Sequence, residues 1–543
     1  MNHKRLLRMS AVAAVVMGLG AQAPAAYAAD PAEPGERAAS PSTTRKLPTN
    51  TLIIRYKPAT PLVDDDAPHQ PRRMDRLSRA VGVPVFYLRA MSGNGHVIAL
   101  PSRLEEDEVR VIARRIMQQV PDIEFAEPDR IMRRGLVPND VNFGSQWHYG
   151  SPAGFGANVQ NAWDVTTGLN VVVAVIDTGI LFNHPDLPAG RVLAGYDFIS
   201  DRDKANDGDG RDGNAADPGD WITASENASG EFKDCGVTNS SWHGTHVAGT
   251  IGAVSNNARN VAGINWNVRI LPVRVLGKCG GKTSDIADGM RWAAGLHVNG
   301  VPDNLTPAKI LNLSFSGPGD CSNSFKNAIE DVRGAGAIVV VAAGNDSDLA
   351  RDYEPAVCHD VITVGATDQA GNKAWFSNFG PWVEISAPGV NVWSTGNAGT
   401  RSPGAMTSLV LQGTSQAAPH VSGIISLILS VRPGLSQSYV LDLIKETATP
   451  FAPGNTCITT IFCGAGIVDA LSAVRNIYVD KNANSLTQLG LPANPWRSIS
   501  FASATAWDGA WLLIKPGTYD EAITIDKKVT LTVDGTGTVT IGR

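Results

Sequence analysis

Continuous apolar runs alternate with helically spaced apolar residues through the middle of this chain. The runs cover residues 171–176, 310–314, 338–343 and 361–364. Runs of this kind, without polar alternation, are typical of strands buried on both faces of a parallel sheet. Between and after them, apolar residues recur at helical spacing over residues 284–296, 324–335 and 436–447. We therefore predict a doubly wound, mostly parallel α/β domain, whose sites should lie at the carboxyl ends of the strands.

Shorter apolar patterns precede this domain. Residues 51–56 and 95–100 have the composition of strands, and apolar positions between residues 105 and 120 recur at helical spacing. A further short run at residues 123–129 closes the pattern. These elements predict a small α+β domain, which follows a flexible linker rich in Ala, Pro and Ser over residues 29–48.

The pattern changes again after residue 475. Short β runs broken by Gly and Pro occupy residues 477–480, 511–515, 522–525 and 529–533. We predict a β-rich C-terminal segment over residues 476–543, which resembles the opening coils of a right-handed parallel β-helix. A solenoid of this length buries little surface, so the segment either packs on the preceding domain or continues beyond this sequence.

The first 28 residues predict secretion. Lys4, Arg5 and Arg8 precede an apolar run at residues 11–19, and Ala26-Tyr27-Ala28 is an A-x-A cleavage signal. The run is too short to span a bilayer, so we expect an extracellular protein without a membrane anchor. A net charge of −6 over 543 residues, without a basic block, argues against nucleic-acid binding. We expect a monomer.

Three separated segments carry the candidate chemistry. Ser415 lies in a small-residue turn that leads into an apolar helical pattern, where free backbone N–H groups surround its hydroxyl. A serine hydroxyl needs a base to act as a nucleophile, and His243 is a candidate upstream. Asp177 follows the strand at residues 171–176 and is the candidate carboxylate that orients the imidazole. Taken singly, each residue has an ordinary structural explanation. Ser415 is typical of a helix cap, His243 of a structural histidine, and Asp177 of a turn or cap after a strand.

The motifs around these residues, in the order Asp, His, Ser, resemble those of the subtilase family of serine endopeptidases. The resemblance covers residues 140–475 and implies a subtilisin-like catalytic domain over residues 137–475. It also implies that Asn345, in Ala342-Ala343-Gly344-Asn345, donates its side-chain amide to the oxyanion. One departure is Gln416, because many subtilases carry Met directly after the nucleophile.

The resemblance assigns the remaining histidines of the motifs to structure. His246 lies three residues after His243, a spacing at which two histidines can share a metal ion. His420 lies close to Ser415 along the chain. In subtilases neither position supplies the base, so we expect both to be structural.

The resemblance further implies a cleft in which a peptide substrate binds as an added β-strand. Two walls and one glycine are implied to contact the substrate: Ser314, Phe315, Ser316, Gly317, Leu276, Gly277 and Gly344. Gly317 and Gly344 are expected to leave room for the P1 side chain. No acidic residue clearly lines these segments, so we expect a broad or apolar P1 preference.

The N-terminal α+β domain, within residues 29–136, resembles a subtilase propeptide. Such a domain assists folding and inhibits the protease until cleavage, which we expect near residues 133–138. An ordinary accessory domain is the alternative. Six cysteines in a secreted chain predict disulfides, of which the sequence alone allows fifteen pairings. The resemblance implies the sequential pairs Cys235–Cys279, Cys321–Cys358 and Cys457–Cys463.

Acidic residues crowd the stretch between the Asp and His motifs. The candidate ligands share carboxylate side chains on a glycine-rich loop: Asp201, Asp203, Asp207, Asp209, Asp212 and Asp217. Hard oxygen ligands on a flexible loop suit a structural Ca²⁺ ion, which related subtilases bind in this region. A solvated acidic loop is the alternative, and we expect no catalytic cofactor.

The sequence thus predicts a secreted serine endopeptidase that acts on proteins and is inhibited by its own propeptide. Two other functions remain open. The first is an inactive protease fold that binds or adheres through its β-rich tail, and the second is a processing protease of narrow specificity. An inactive fold would function without the Ser415 hydroxyl. A processing protease would use the same three residues and would differ from a broad protease only in the walls of its cleft.

Overall fold

The computed structural model describes residues 49–57, 67–104, 106–129, 136–452, 454, 455, 457 and 463–542. The chain divides into two compact units, the N-terminal unit Met1–Arg133 and the C-terminal unit Arg134–Arg543. The predicted signal peptide and linker lie outside the described residues, as does the first part of the predicted cleavage region, residues 133–135. In the ranges given above, no helix is long and apolar enough to cross a membrane.

The N-terminal unit is a four-stranded antiparallel sheet with two helices. Its elements in chain order are β1 (Thr49–Tyr56), α1 (Pro71–Val81), β2 (Phe86–Met91), β3 (Gly95–Leu104), α2 (Glu106–Gln119) and β4 (Ile123–Pro128). The sheet order is β2-β3-β1-β4. Leu52 and Ile54 of β1 pack with Leu77 of α1 and with Val109 and Ile116 of α2. This arrangement confirms the predicted small α+β domain.

The C-terminal unit is built on a seven-stranded sheet. Its first elements are α3 (Val159–Ala162), β5 (Val172–Asp177), β6 (Tyr196–Asp197), α4 (Arg202–Ala205), α5 (Ala224–Ala228), α6 (His243–Gly252), β7 (Arg269–Arg274), α7 (Thr283–Ala293) and β8 (Ile310–Leu313). Then follow β9 (Gly317–Pro318), α8 (Asn323–Gly334), β10 (Ile338–Ala342), β11 (Tyr353–Glu354), β12 (Ile362–Thr367), β13 (Ile385–Pro388), β14 (Val392–Asn397), β15 (Met406–Leu411), α9 (Thr414–Val431), α10 (Gln437–Glu446) and α11 (Ala470–Arg475). The order β13-β12-β10-β8-β5-β7-β6 is parallel throughout.

Each central strand is buried on both faces, as its continuous apolar sequence predicted. Val173 and Val175 of β5 face a core that includes Val247 of α6 and Ile424 of α9. Ala174 and Ile176, their neighbours along the strand, face a second core that includes residues of α7 and α8. Successive side chains of a strand point to opposite faces, so helices must cover both. The predicted doubly wound α/β fold is confirmed.

The residues after α11 form the predicted β-rich segment. Its elements are β16 (Asn476–Val479), α12 (Ile499–Thr505), β17 (Trp511–Ile514), β18 (Gly517–Tyr519), β19 (Thr530–Val533) and β20 (Val539–Ile541). The pairs β16–β17, β17–β19 and β18–β20 are parallel, as coils of a β-helix would be. The segment packs on the α/β domain: Leu491 lies in the core of α6 and α9, and the Arg432 guanidinium lies 5.1 Å from the Trp507 ring.

The three disulfides are those that the resemblance implied. Cys235 is bonded to Cys279, Cys321 to Cys358 and Cys457 to Cys463. The first links the loop before α6 to the loop after β7, and the second links the start of α8 to the region before β12. No described cysteine is free.

Candidate active site

The carboxylate and the imidazole meet at the carboxyl end of β5. Asp177 is the last residue of this strand and is fully buried, and it accepts a hydrogen bond from Thr178 N at 2.8 Å. His243 is the first residue of α6, and its Nδ1 lies 2.8 Å from Asp177 Oδ1 and 3.0 Å from Oδ2. The side chain of His243 keeps 21% of its surface exposed, which leaves the imidazole accessible to a substrate.

The surroundings of His243 favour its protonated form. Burial opposes the charge, but the charge and hydrogen bond of Asp177 outweigh burial, and the carboxylates of Asp220 and Asp217 add to this effect. The pKa of His243 is therefore raised above its ordinary value. An imidazole in this setting is a good proton acceptor, because its charged form is stabilised where it arises.

The candidate nucleophile lies in the first turn of α9. Ser415 is the second residue of that helix, and only 9% of it is exposed. Its Oγ donates to the carbonyl oxygen of Ser314 at 2.6 Å, and Ser314 Oγ donates to the carbonyl oxygen of Ser415 at 2.8 Å. Helix α6 packs against α9, and their first turns bond to residues at the carboxyl ends of the paired strands β5 and β8. Within the described residues, Ser415 makes no hydrogen bond with His243, because its hydroxyl is bonded to Ser314 O.

Asn345 is held by the turn that precedes the nucleophile. Its Oδ1 accepts from Thr414 N at 2.8 Å and from Thr414 Oγ1 at 3.0 Å, which fixes the plane of the amide. Gly413 has a φ of 152°, and a Cβ at this position would lie 2.8 Å from Gln416 Oε1, 3.4 Å from Asn345 Nδ2 and 3.6 Å from Ser415 N. The two predicted oxyanion donors thus lie on the same side of Gly413, next to the Gln416 side chain.

The predicted cleft residues lie on two segments, and one of them, Ser314, is hydrogen-bonded to Ser415. Ser314 is buried at the end of β8, Phe315, Ser316 and Gly317 are half-buried after it, and Leu276 and Gly277 follow β7. A Cβ on Gly317 would meet nothing within 4 Å, so this glycine borders open space.

Gly344 and Gly277, two other glycines of this set, face protein atoms. A Cβ on Gly344 would lie 2.2 Å from Asn378 Nδ2, and one on Gly277 would lie 2.1 Å from the carbonyl oxygen of Lys204. The space beside Gly344 is therefore filled by Asn378, contrary to the room that we expected there.

Asn378 is a residue that the sequence analysis missed. Its Nδ2 donates to Ala343 O at 3.0 Å, and its Oδ1 accepts from Asp346 N and Asp348 N at 2.9 and 3.1 Å. It thereby fixes the loop that carries Asn345. No local pattern marks this role, because the two segments lie 30 to 35 residues apart.

The other motif histidines are buried and neutral. His246 Nε2 lies 3.1 Å from Val392 O, and His420 bonds through Nδ1 to Gln416 O at 2.7 Å and through Nε2 to His148 Nδ1 at 2.8 Å. Burial lowers the pKa of His246 to about 3 and that of His420 to about 4. Their ring nitrogens bind α6 and α9 to neighbouring segments, which is a structural role.

The six acidic candidates do not converge on one point. Asp201 caps α4 and pairs with Lys282, and Asp207 pairs at 2.6 Å with the buried Arg274. Asp212 Oδ1 accepts from Asn214 N at 2.8 Å, and the buried Asp217 accepts from Thr178 Oγ1 at 2.7 Å. Asp203 and Asp209 are exposed. In the part of the chain that the structure describes, no three His, Cys, Asp or Glu side chains are arranged to hold a metal ion. The six residues therefore do not fit a single shared calcium site in this arrangement.

Fold and site together define an α/β protein with the side-chain set of a serine hydrolase. The sequence profile of the Subtilase family matches residues 168–500, and the chain belongs to that family of serine peptidases. An "Extracellular protease" of Xanthomonas campestris pv. campestris is 46% identical over 388 residues, which are 71% of this chain and 65% of that protein. An "Extracellular basic protease" of Dichelobacter nodosus is 40% identical over 445 residues, 79% of this chain and 71% of that protein. A solved protease structure from Pseudoalteromonas arctica has a TM-score of 0.59 and 46% identity, and covers 62% of this chain and 99% of its own.

Proposed function

We propose that this protein is a secreted serine endopeptidase that hydrolyses peptide bonds through an acyl-enzyme. The observation that carries the proposal is the 2.8 Å contact between His243 Nδ1 and Asp177 Oδ1, on a helix packed against the one that presents Ser415. The names of the two relatives, both extracellular proteases, support the same activity and the same location for this chain.

In the proposed mechanism, Ser415 Oγ turns from Ser314 O towards the imidazole and attacks the scissile carbonyl carbon. His243 Nε2 accepts the hydroxyl proton, while Asp177 holds Nδ1–H and stabilises the imidazolium. His243 then donates that proton to the leaving amine, and the acyl group stays on Ser415. Water, deprotonated by His243, hydrolyses the ester and restores the hydroxyl.

The negative oxygen of each tetrahedral intermediate needs donors where the charge develops. Asn345 Nδ2 and Ser415 N border the same space beside Gly413, which supports their assignment as that pair. Because Asn345 Oδ1 is occupied by Thr414, the amide donor is oriented before the substrate arrives. Little reorganisation is then needed during the reaction.

We propose that substrate binds as an extended strand between residues 314–317 and residues 275–277. Gly317 borders open space and suits a cavity for the P1 side chain, whereas Gly344 contributes main chain beside Asn378. Neither segment carries an acidic residue, which supports a broad or apolar P1 preference. A cleavage profile on a peptide library tests it, since a sharp requirement for one charged residue at P1 would indicate a processing protease of narrow specificity.

The decisive test is Ser415→Ala on casein, with Ser324→Ala, an exposed serine of α8, as the control. Loss of a nucleophile of this type lowers turnover by on the order of a million-fold, so the variant should show no measurable hydrolysis while the control keeps full activity. Full proteolysis by Ser415→Ala would contradict the proposal and support a binding or adhesive role for the fold.

We further propose that the N-terminal unit is a propeptide that inhibits the protease within the same chain. Its small α+β fold and its position in the sequence before the catalytic unit support this role. The N-terminal sequence of the secreted form tests the proposal. Ser415→Ala should retain the N-terminal unit if the cleavage near residues 133–138 is autocatalytic, whereas a mature wild-type protein that still carries residues 49–129 would contradict it.

We also propose that the protein binds a structural Ca²⁺ ion. The proposal rests on the acidic residues between positions 201 and 217 and on the calcium binding of related subtilases in this region. The geometry excludes one cage made by all six aspartates, so any ion must use a smaller set of these side chains with main-chain oxygens. Heat inactivation with and without a chelator tests it. Calcium binding predicts faster inactivation in chelator and recovery on adding Ca²⁺, and equal rates would end the proposal.

A further inference from the structure

The turn before His243 has an unfavourable backbone conformation. Trp242 has a φ of 52°, a left-handed value that costs a non-glycine residue about 1 to 2 kcal/mol. The side chain is buried, and its Nε1 donates to Gly399 O at 2.7 Å. A conformation of this kind persists only where neighbouring contacts hold it, and it sets the direction from which His243 enters the site.

Asp220 supplies contacts of this type from a distant loop. Its Oδ1 accepts from Ser241 N and its Oδ2 accepts from Ser241 Oγ, both at 2.7 Å. Ser241 Oγ in turn accepts from His243 N at 3.3 Å. A chain of hydrogen bonds therefore runs from the Asp220 carboxylate to the first N–H of the helix that carries the imidazole.

The backbone brings Asp220 to this place through an isolated antiparallel bridge. Ile222 N donates to Thr238 O at 3.0 Å, and Thr238 N donates to Ile222 O at 3.1 Å. This pairing sets residues 220 and 241 side by side at the same end of the bridge. Asp220 is half-buried, so its carboxylate faces Ser241 while the residue keeps some contact with solvent.

Asp220 also contributes charge to the site. The titratable groups that act on His243 are Asp177 at the end of β5, Asp217 and Asp220 on the following loop, and the buried, neutral His246 one turn along α6. Asp177 is fixed by its direct bond, and Asp217 is engaged by Thr178 Oγ1 and Gly219 N. Asp220 differs from these two carboxylates because it does two things. Its charge acts on the imidazole of His243, and through Ser241 it is hydrogen-bonded to the backbone N–H of His243.

We propose that Asp220 is a positioning residue for the catalytic base, which fixes the Ser241–Trp242 turn and thereby aims His243 at Ser415. The proposal rests on the proposed peptidase function of this site. Asp220 touches neither substrate nor reacting atoms. It acts through Ser241, so its removal should affect the rate and the titration of His243 more than the binding of substrate.

Three variants, with Asp220→Glu as a fourth that keeps the charge, separate this role from general folding effects. Asp220→Asn removes the charge and one acceptor at constant shape, Ser241→Ala removes the hydroxyl link but keeps the carboxylate, and Asp526→Asn makes the same charge change at an exposed residue of the C-terminal segment. The readouts are kcat, KM and the acid limb of the pH profile of kcat/KM on a chromogenic peptide.

Asp220→Asn should lower kcat by roughly 10- to 100-fold, the range that a lost hydrogen bond to a charged group covers, with KM nearly unchanged. Its acid limb should move to lower pH, because a carboxylate that stabilises the imidazolium has become neutral. Ser241→Ala should lower kcat and leave the acid limb in place, and Asp526→Asn should change neither. Asp220→Glu, which restores the charge, should return the acid limb towards its wild-type position even where kcat stays low.

A measurement that needs no turnover completes the test. In the Ser415→Ala background, NMR titration of the His243 Nδ1–H resonance should shift to lower pH on Asp220→Asn and stay in place on Asp526→Asn. A wild-type kcat and an unmoved titration in Asp220→Asn would overturn the proposal. An inactive wild type with a shifted His243 titration would instead overturn the peptidase function and leave the coupling of Asp220 to His243 established.

Discussion

The orientation of Asn345 leads to a quantitative prediction for the oxyanion site. Its Oδ1 receives two hydrogen bonds from Thr414, at 2.8 and 3.0 Å, so the amide cannot turn its nitrogen away from the space beside Gly413 without breaking both. Asn345→Ala removes this donor and leaves Ser415 N as the remaining one. Loss of one oxyanion donor costs about 2.7 to 4 kcal/mol of transition-state stabilisation, so kcat should fall by roughly 100- to 1,000-fold.

The Michaelis constant should change little, because a donor of this kind acts mainly on the charge that develops in the transition state. Stability should fall by about 1 to 3 kcal/mol, because the fully buried Thr414 loses the acceptor of its N–H and of its hydroxyl. Initial rates on a peptide anilide, with the thermal midpoint as a check on folding, measure both effects.

Two variants sharpen the result. Asn345→Asp keeps an acceptor for Thr414 but has no donor and places a negative charge beside the oxyanion, so its kcat should fall at least as far as that of the alanine variant. Asn323→Ala, at an exposed position at the start of α8, is the matched control and should be fully active. A turnover of Asn345→Ala within a few-fold of wild type would refute the assignment and require another source of donors.

Two further predictions concern residues next to the site and at the C-terminal junction. Gln416 is buried beside Gly413, and within the described residues its Nε2 has no hydrogen-bond partner. Gln416→Met should therefore fold and act normally but lose activity in peroxide faster than wild type, and equal inactivation rates would contradict this. Arg432 donates to Asn476 O and lies over the Trp507 ring, so Arg432→Met should cost about 2 to 4 kcal/mol and lower the thermal midpoint, whereas Arg259→Met, at an exposed position, should change it little. An unchanged midpoint in Arg432→Met would show that the C-terminal segment is not held through this side chain.

The sequence predicted those parts of the fold whose cause is local. Strands β5, β8 and β10 lie within one residue of their predicted bounds, and β12 ends three residues later than predicted, because a strand buried on both faces must be apolar throughout. Asp177 and His243 lie within hydrogen-bond distance of each other, because Asp177 ends strand β5 and His243 begins helix α6. For these strands, burial on both faces causes both the apolar sequence and the central position in the sheet, so the sequence alone is enough to predict them.

The contacts that the sequence could not supply are those between distant polar residues. Asp207 was predicted to be a calcium ligand, because the sequence shows the acidic residues next to it but does not show which distant residue it contacts. Arg274, 67 residues further on, is buried at the end of β7 and pairs with Asp207 instead. The role of Asp220 was hidden for the same reason, because its partner Ser241 lies 21 residues away across a loop without periodicity.

The two hydrogen bonds between Ser314 and Ser415 have different roles, because one involves the Ser415 backbone and the other its hydroxyl. Ser314 Oγ binds the carbonyl oxygen of Ser415 and thereby ties the first turn of α9 to the end of β8. The hydroxyl of Ser415 makes the reverse bond, to Ser314 O, which a rotation about its Cα–Cβ bond releases. Such a bond is worth about 1 kcal/mol net, a small cost beside the 8 kcal/mol or more by which enzymes lower their barriers. The proposed nucleophile thus has a backbone tied to the end of β8 and a side chain held by one hydrogen bond, and breaking that bond is the first movement that the proposed proton transfer requires.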